Sequence, residues 1–185
     1  DKETEGMDLL RQRRITFKNK KVWLAGTERN TSSDRKLELS WVNKPEKEIL
    51  AEGDTWISEP MMRKFSLATG NTISIPTPVG YQNLTITGVY ADYSNETGTV
   101  MVNRRFMKDF YNDNSISNAA IYLNPQTNPD EWVNKIQKKF PNIFIRTNKK
   151  LRNESLEIFE QTFSVTYALE SIAILIAVIG LGLTM

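Results

Sequence analysis

Neither cysteine nor histidine occurs among the 185 residues of this sequence, so its chemistry is confined to carboxylates, hydroxyls, amines and guanidinium groups. Thiol nucleophiles, disulfides, Cys/His zinc sites and histidine-based triads are excluded from this chain. Two carboxylate pairs have the type needed for general acid–base work, Asp130-Glu131 and Glu157/Glu160. The first follows Asn128-Pro129, where acids favour the dipole of a starting helix. The second lies within a helical pattern and reads as solvated. Ser58-Glu59 precedes Pro60 and reads as a helix cap, since a serine nucleophile needs a base and an orienting group. Lys149, Lys150 and Arg152 could meet lipid head groups. About 20 residues separate them from the apolar run described below, which favours a solvated joint. Asn83-Leu84-Thr85 and Asn95-Glu96-Thr97 match glycosylation acceptors, which matter only in a eukaryotic secretory protein. There is no Gly-x-x-x-x-Gly-Lys phosphate loop. The sequence therefore predicts no catalytic residue, no cofactor and no metal.

Charge adds little. The net charge is +2, with acids and bases interspersed, whereas nucleic-acid binding asks for a concentrated basic face. Arg11-Gln12-Arg13-Arg14 and Lys18-Asn19-Lys20-Lys21 read as solvated strand ends. With 39% hydrophobic and 25% charged residues, the body is a soluble globular fold of one domain or two small subdomains, and not a multispan membrane protein. The polar start, Asp1-Lys2-Glu3-Thr4-Glu5-Gly6, is no signal peptide.

The elements that must position these residues are short, except the last. From Ser171 to Met185 the chain carries no charge. Ile172, Ile174, Leu175, Ile176, Val178, Ile179, Leu181 and Leu183 are expected to enter a membrane. The run is shorter than the roughly 20 residues of a full span and reads as cut. Before it, Leu156, Phe159, Phe163 and Tyr167 recur at helical spacing, so residues 151–170 read as one amphipathic stalk helix. No Pro or Gly interrupts 151–170. The joint helix would be about 50 Å long. A buried core helix is the alternative.

Upstream, Arg14–Ala25 alternates around an Asn-containing turn and reads as a hairpin of unsettled register, because the favoured Gly is missing. Residues 26–36 read as a polar loop and 37–42 as a strand. Thr55-Trp56-Ile57 is a strand, followed by a helix with Ser58 as cap, an apolar face at Met61, Met62, Phe65 and Leu67, and Gly70 as left-handed stop. Strands follow at 71–75, 83–90 and 99–102. Asn103 caps a helix carrying Phe106, Met107, Phe110 and Tyr111. A strand at 119–123 precedes a helix begun by Asn128-Pro129, with Trp132, Val133, Ile136 and Phe140 on one face and Pro141 as stop. A last strand is expected at 143–145. Trp23, Trp41, Trp56 and Trp132 read as packing residues. Strands alternating with short helices argue for an α+β fold with a mixed sheet.

Two stretches resemble a known family. One is Gly53-Asp54-Thr55-Trp56-Ile57-Ser58-Glu59-Pro60 with Leu67-Ala68-Thr69-Gly70-Asn71-Thr72-Ile73 and Leu84-Thr85-Ile86-Thr87-Gly88-Val89-Tyr90-Ala91-Asp92-Tyr93. The other is Ile158-Phe159-Glu160-Gln161-Thr162-Phe163-Ser164-Val165-Thr166-Tyr167-Ala168-Leu169-Glu170 running into the apolar segment. Both are similar to the extracytoplasmic domain of FtsX-like ABC transporter permeases, the group that includes MacB and the lipoprotein-releasing permeases. The resemblance covers 51–185, and 1–50 departs from it.

It implies an extracytoplasmic, periplasmic core domain at 1–150 and a stalk running into a membrane helix at 151–185, in the cell (inner) membrane. It implies a cytoplasmic ABC ATPase as partner, a second permease copy or paralogue as dimer mate, no enzymatic activity in this chain, and motion passed through the stalk. It also implies a split arrangement, with 1–50 and 119–145 together and 53–112 inserted between them. The competing reading is the ligand-binding ectodomain of a membrane-anchored sensor, which would continue into a cytoplasmic signalling helix instead of further spans. A secreted hydrolase would need neither, and the missing His and Cys weigh against it.

Overall fold

The structure, a computed structural model, describes residues 3–31, 39–47, 49–92 and 95–184. The chain divides into two units, Asp1–Pro125 and Gln126–Met185.

The first unit is built on a long hairpin, β1 (Thr4–Phe17) and β2 (Lys20–Thr31). Its turn residues Lys18 and Asn19 both have positive φ, 45° and 63°, the signature of a type I′ turn. The turn therefore settles the register without a glycine. The expected loop at 26–36 is corrected as far as Thr31. Gly26 to Asn30 pair with Arg11 to Met7 of β1, and Gly26 and Thr27 also pair with Val102 and Asn103. Pairing with β1 along its length, and with β7 as well at Gly26 and Thr27, keeps this polar stretch extended. Residues 32–36 and the first part of the strand expected at 37–42 lie outside the described residues, and its end is β3 (Trp41–Asn43).

Next come β4 (Asp54–Ser58), α1 (Glu59–Phe65), β5 (Thr72–Thr77), β6 (Gly80–Tyr90), β7 (Thr99–Asn103), α2 (Arg104–Tyr111) and β8 (Asn118–Leu123). All eight strands form one sheet in the order β3-β6-β4-β7-β2-β1-β8, with β5 also on β6. β2/β7 and β4/β6 are parallel and the other pairs antiparallel, so the sheet is mixed and the fold α+β.

Period-two alternation builds the core. Ile15 and Phe17, Val22 and Leu24, Ile73 and Ile75, Leu84 and Ile86, and Val100 and Val102 all point to one face, where Met61 of α1 and Phe106 and Met107 of α2 cover them. Phe17 meets Phe65 edge-on at 4.9 Å. Ile15, Phe17 and Val22 thus share a core with residues 55–90, so the expected separation of 53–112 is corrected, while 1–50 does stand beside 119–123 through the β1/β8 pairing. The β1–β2 hairpin joins the 53–112 segment through β7, and one apolar face of one sheet is buried as a whole. On the other face Leu50, Trp56 and Tyr90 form a smaller cluster, with Trp41 edge-on to Trp56 at 5.0 Å.

Caps follow local chemistry with two exceptions. Asn103 accepts from Arg105 N–H, and Asn128 accepts from Asp130 N–H and Glu131 N–H, as asparagine caps should. Ser58 stands at the α1 N-cap, but its Oγ accepts Thr99 N–H at 2.8 Å and so ties β4 to β7. α1 stops at Ser66, which is left-handed, while Gly70 lies beyond it and donates its N–H to Ile86. The arginines of β1 are not all solvated. Arg11 bonds Asp113 at 2.8 Å, and Arg13 and Arg14 lie over the rings of Tyr111 and Trp23.

The second unit holds α3 (Pro129–Lys139) and α4 (Asn148–Thr184). Of the expected α3 face, Trp132 is buried, Val133 and Ile136 are half-buried and Phe140 is exposed. The strand expected at 143–145 is irregular chain instead. Its Ile143 carbonyl is held by Gln137 Nε2 at 2.8 Å, a local contact that replaces strand pairing.

Two stability predictions arise. Gly98 has φ +93° and a Cβ there would stand 2.9 Å from Met61 Cα, whereas Gly53 has φ +83° and open space around it. Urea unfolding should show Gly53→Ala costing about 1–2 kcal/mol from backbone strain alone. Gly98→Ala should cost roughly 2–4 kcal/mol, because α1 must also move. The Asp113 carboxyl is the second case. Its slight burial acts to raise its pKa, but hydrogen bonds from Arg11 and Ser115 and the Arg11 charge hold it below the usual range. A depressed folded value adds stability above the unfolded pKa of about 3.9, lost as pH falls through the folded value. Asp113→Asn should thus cost about 1 kcal/mol at pH 7 and progressively less as the pH is lowered from the unfolded pKa through the depressed folded value.

Candidate functional site: the C-terminal helix

No arrangement suited to covalent or acid–base chemistry emerges among the described residues. Asp130 and Glu131 stand exposed at the start of α3, and Glu157 and Glu160 are exposed on α4. Buried Ser58 is committed to Thr99, and Glu59 pairs with Arg63 one turn on. No group of three or more Asp or Glu is placed to hold a metal among the described residues. Tyr90 is pushed up by burial and by the nearby Asp92. Tyr111 is pushed up by burial against the opposing pull of Arg13, and Tyr122 by burial and its bond to Asp8. All three phenols therefore stay neutral at physiological pH, as structural groups do.

What remains is α4. It starts where Thr147 caps it: Thr147 Oγ1 accepts Lys150 N–H at 3.2 Å and the Thr147 carbonyl accepts Leu151 N–H. Arg146 reaches Glu154 at 2.9 Å and lies over Phe144, which braces the first turns. Lys149, Lys150 and Arg152 project exposed from these turns. The helix then runs for 37 residues, about 55 Å. Nothing between Leu151 and Ile179 breaks it, because neither Pro nor Gly occurs there. Its serines return their hydroxyls to its own carbonyls: Ser155 to Leu151, Ser164 to Gln161 and Ser171 to Tyr167. Such bonds leave no hydroxyl asking for water.

The structure places the expected residues on this one helix in two zones. Leu156, Phe159, Phe163 and Tyr167 occupy its middle, and Ile172, Ile174, Leu175, Ile176, Val178, Ile179, Leu181 and Leu183 its end. All twelve are between 50% and 83% exposed. α4 is long and apolar enough to cross a membrane.

One feature escapes a search for a single apolar face. At 100° per residue, Leu156, Phe159, Phe163 and Tyr167 share a sector of about 80°. Leu151, Ile158, Val165 and Leu169 share another, about 140° away. Glu157, Gln161 and Ser164 separate them on one side, and Ser155 and Thr166 on the other. The stalk thus has two apolar seams, all exposed. The seven-residue spacing of Leu151, Ile158 and Val165 was the available signal.

Comparison with known proteins agrees with this geometry. No family model matches the chain. An uncharacterized ABC transporter permease protein of Mycobacterium tuberculosis (strain ATCC 25618 / H37Rv) is 25% identical over 156 residues, 80% of this chain. The chain spans 18% of that relative's length. The periplasmic region of MacB from Actinobacillus actinomycetemcomitans superposes with a TM-score of 0.58 at 10% identity, covering 85% of this chain and 78% of that one. The extracellular domain of the noncanonic ABC-type transporter YknZ from Gram-positive bacteria gives 0.50 at 14% identity, covering 72% and 70%. The fold is therefore that of the MacB periplasmic domain, and the sequence is similar to an ABC transporter permease, as the resemblance implied.

Leaving the terminal aliphatic side chains in water forfeits about 1.5–3 kcal/mol each. Light scattering should find the whole chain self-associated unless detergent is present, while deletion of 172–185 should give a folded monomer. An unchanged oligomeric state after deletion would contradict the exposed-helix account.

Proposed function

We propose that this chain, with its MacB-like fold and its likeness to an ABC transporter permease, is the extracytoplasmic part of an FtsX/MacB-like permease. It would couple ATP hydrolysis by a cytoplasmic partner to the handling of a substrate or protein partner outside the membrane. Residues 1–150 form the working domain and 151–185 the stalk and the start of a membrane helix. The protein sits in the cell (inner) membrane with this domain on the outer, periplasmic side. It works as a dimer with a second permease copy or paralogue, and its energy comes from an ABC ATPase subunit, this chain itself being no enzyme.

The observation that carries the reading is the unbroken α4. A helix without Pro or Gly over most of its length resists bending, so an axial or tilting displacement at one end reaches the other. Its apolar end supplies the membrane anchor, since Ser171 to Thr184 carries no charge to desolvate. Gly180 leaves open space where a Cβ would stand, which allows a neighbouring helix to approach closely.

This chain has no cysteine of its own to label in the background, and any cysteine elsewhere in the protein is replaced for the test. Single-cysteine variants Ser115→Cys and Ile176→Cys should respond differently to a membrane-impermeant maleimide in intact cells. The first should label, and the second should label only after the membrane is dissolved. In the reconstituted transporter, Val165→Pro should lower transport-linked ATP turnover by about tenfold while the domain keeps its melting transition. Labelling of both cysteines from outside, or full coupling in the proline variant, would refute the stalk reading.

A further inference from the structure

We propose that the outer edge of β8 is where a second copy of this chain meets the first, the two β8 strands pairing antiparallel about a twofold axis at Ala120 so that one sheet runs through both copies. The inference names a surface for the dimer of the reading above and rests on that dimer.

β8 stands at the end of the sheet and pairs with β1 alone among the described strands. The two-residue turn makes Phe17 and Lys20 a hydrogen-bonded pair, so the odd residues of β1 bond β2 and the even ones face β8. Two bonds outside the ladder agree with that phase: Leu10 C=O accepts Ser117 N–H, and Gln12 N–H donates to Ser117 Oγ. Leu10 and Asp8 therefore face Asn118 and Ala120, which turns the N–H and C=O of Ala119 and Ile121 away from β1, out of the sheet's edge. These outward groups find no partner among the described residues. Asn118, Ala119, Ala120 and Ile121 are all exposed.

Open sheet edges usually carry a guard against pairing. Elsewhere in this sheet the guards are present: β3 has three residues, β5 contains Pro76, and β1 beyond Leu10 carries Arg11, Arg13 and Arg14. β8 has none. From Asn114 to Pro129 no residue is charged, in a chain whose residues are 25% charged. A neutral edge offers a charged strand nothing to pair with, whereas a second copy brings no like charge against it. The side chains fit the same occupant. Ile121 lies beside Met7 and Ala119 beside Leu9 on one face of the sheet, and Met7 and Ile121 are 44% and 43% exposed. With Ala120 on the axis, Ile121 of each copy stands opposite the other copy's Ala119, large against small. Every outward group of Ala119 and Ile121 then has a partner, and Met7, Ile121, Ala119 and Leu9 form one apolar stripe across the join. An edge this short is a weak interface by itself. Anchoring both copies in one membrane through α4 raises their effective concentration and closes it. The monomer expected after deletion of 172–185 accords with this.

The test uses the whole chain in phosphatidylcholine vesicles, with single cysteines oxidised by copper phenanthroline. With Ala120 on the axis, its two Cα atoms are about 4.5 Å apart, within disulfide reach, whereas the two Ala119 Cα atoms are about 9 Å apart, beyond it. Ala120→Cys should therefore form a disulfide-linked dimer at least about tenfold faster than Ala119→Cys, or than Val79→Cys as an exposed control on the β5–β6 turn. Adding Ala119→Pro removes an outward N–H and should slow the Ala120→Cys crosslink about tenfold without moving the urea midpoint in detergent. Energy transfer between chains dye-labelled through Lys150→Cys reports the dimer independently of the edge. Transfer without a fast Ala120→Cys crosslink overturns the edge pairing and leaves the dimer standing, whether that thiol stays open to maleimide or is shielded by a strand of another protein. Absence of both signals overturns both. Equal crosslinking of Ala119→Cys and Ala120→Cys, or a crosslink indifferent to Ala119→Pro, also overturns the pairing.

Discussion

A two-residue turn, Lys18-Asn19, sets the register on which the rest of the sheet depends. Side chains alternate along a strand with period two, so a slip of one residue would turn Ile15, Phe17, Val22 and Leu24 away from the core. The same phase aims Arg11 at Asp113 and Arg13 at Tyr111, and lets Ser117 close the outward groups of Leu10 and Gln12. One local backbone choice thus governs the core, the sheet edge and the contacts to the α2–β8 connection.

Polar groups inside the domain serve this architecture. Thr55 Oγ1 donates to Met101 C=O at 2.8 Å, and Ser58 Oγ accepts Thr99 N–H at the same distance, pinning β4 to β7 where only a short ladder joins them. Arg104, almost wholly buried, reaches Glu28 and the Asn114 carbonyl and so fastens α2 to β2 and to the loop that follows. Hydroxyls and guanidinium groups occupied in this way are unavailable for catalysis.

α4 obeys a different constraint. The first unit gathers a buried apolar core within itself, whereas α4 keeps its apolar side chains exposed along its whole length. A helix of this kind leaves apolar surface uncovered both along its uncharged end and along its two seams. Between those seams the serines satisfy themselves on the helix backbone, so the rod can meet an apolar surrounding without losing hydrogen bonds.

Periodicity and capping chemistry by themselves determined the type and position of most elements. Alternation marked Ile73/Ile75 and Leu84/Ile86 as core strands. Asn103 and Asn128-Pro129 marked two helix starts, and the uncharged run after Glu170 marked the apolar end of α4. These are properties of neighbours in the chain, and neighbours are legible. Tertiary structure alone decided where partners distant in sequence compete. Gly26 to Thr31 look like loop until β1 supplies paired backbone along them, with β7 joining at Gly26 and Thr27. Ser58 looks like a cap until Thr99 takes its hydroxyl. The expected separation of 53–112 fails because the hairpin joins that segment through the parallel β2/β7 pair, while β1 keeps β8 on its other side. Local pattern dictates what a segment becomes. Which backbone edges are closed depends on long-range pairing, for which hydrophobic spacing carries no signal.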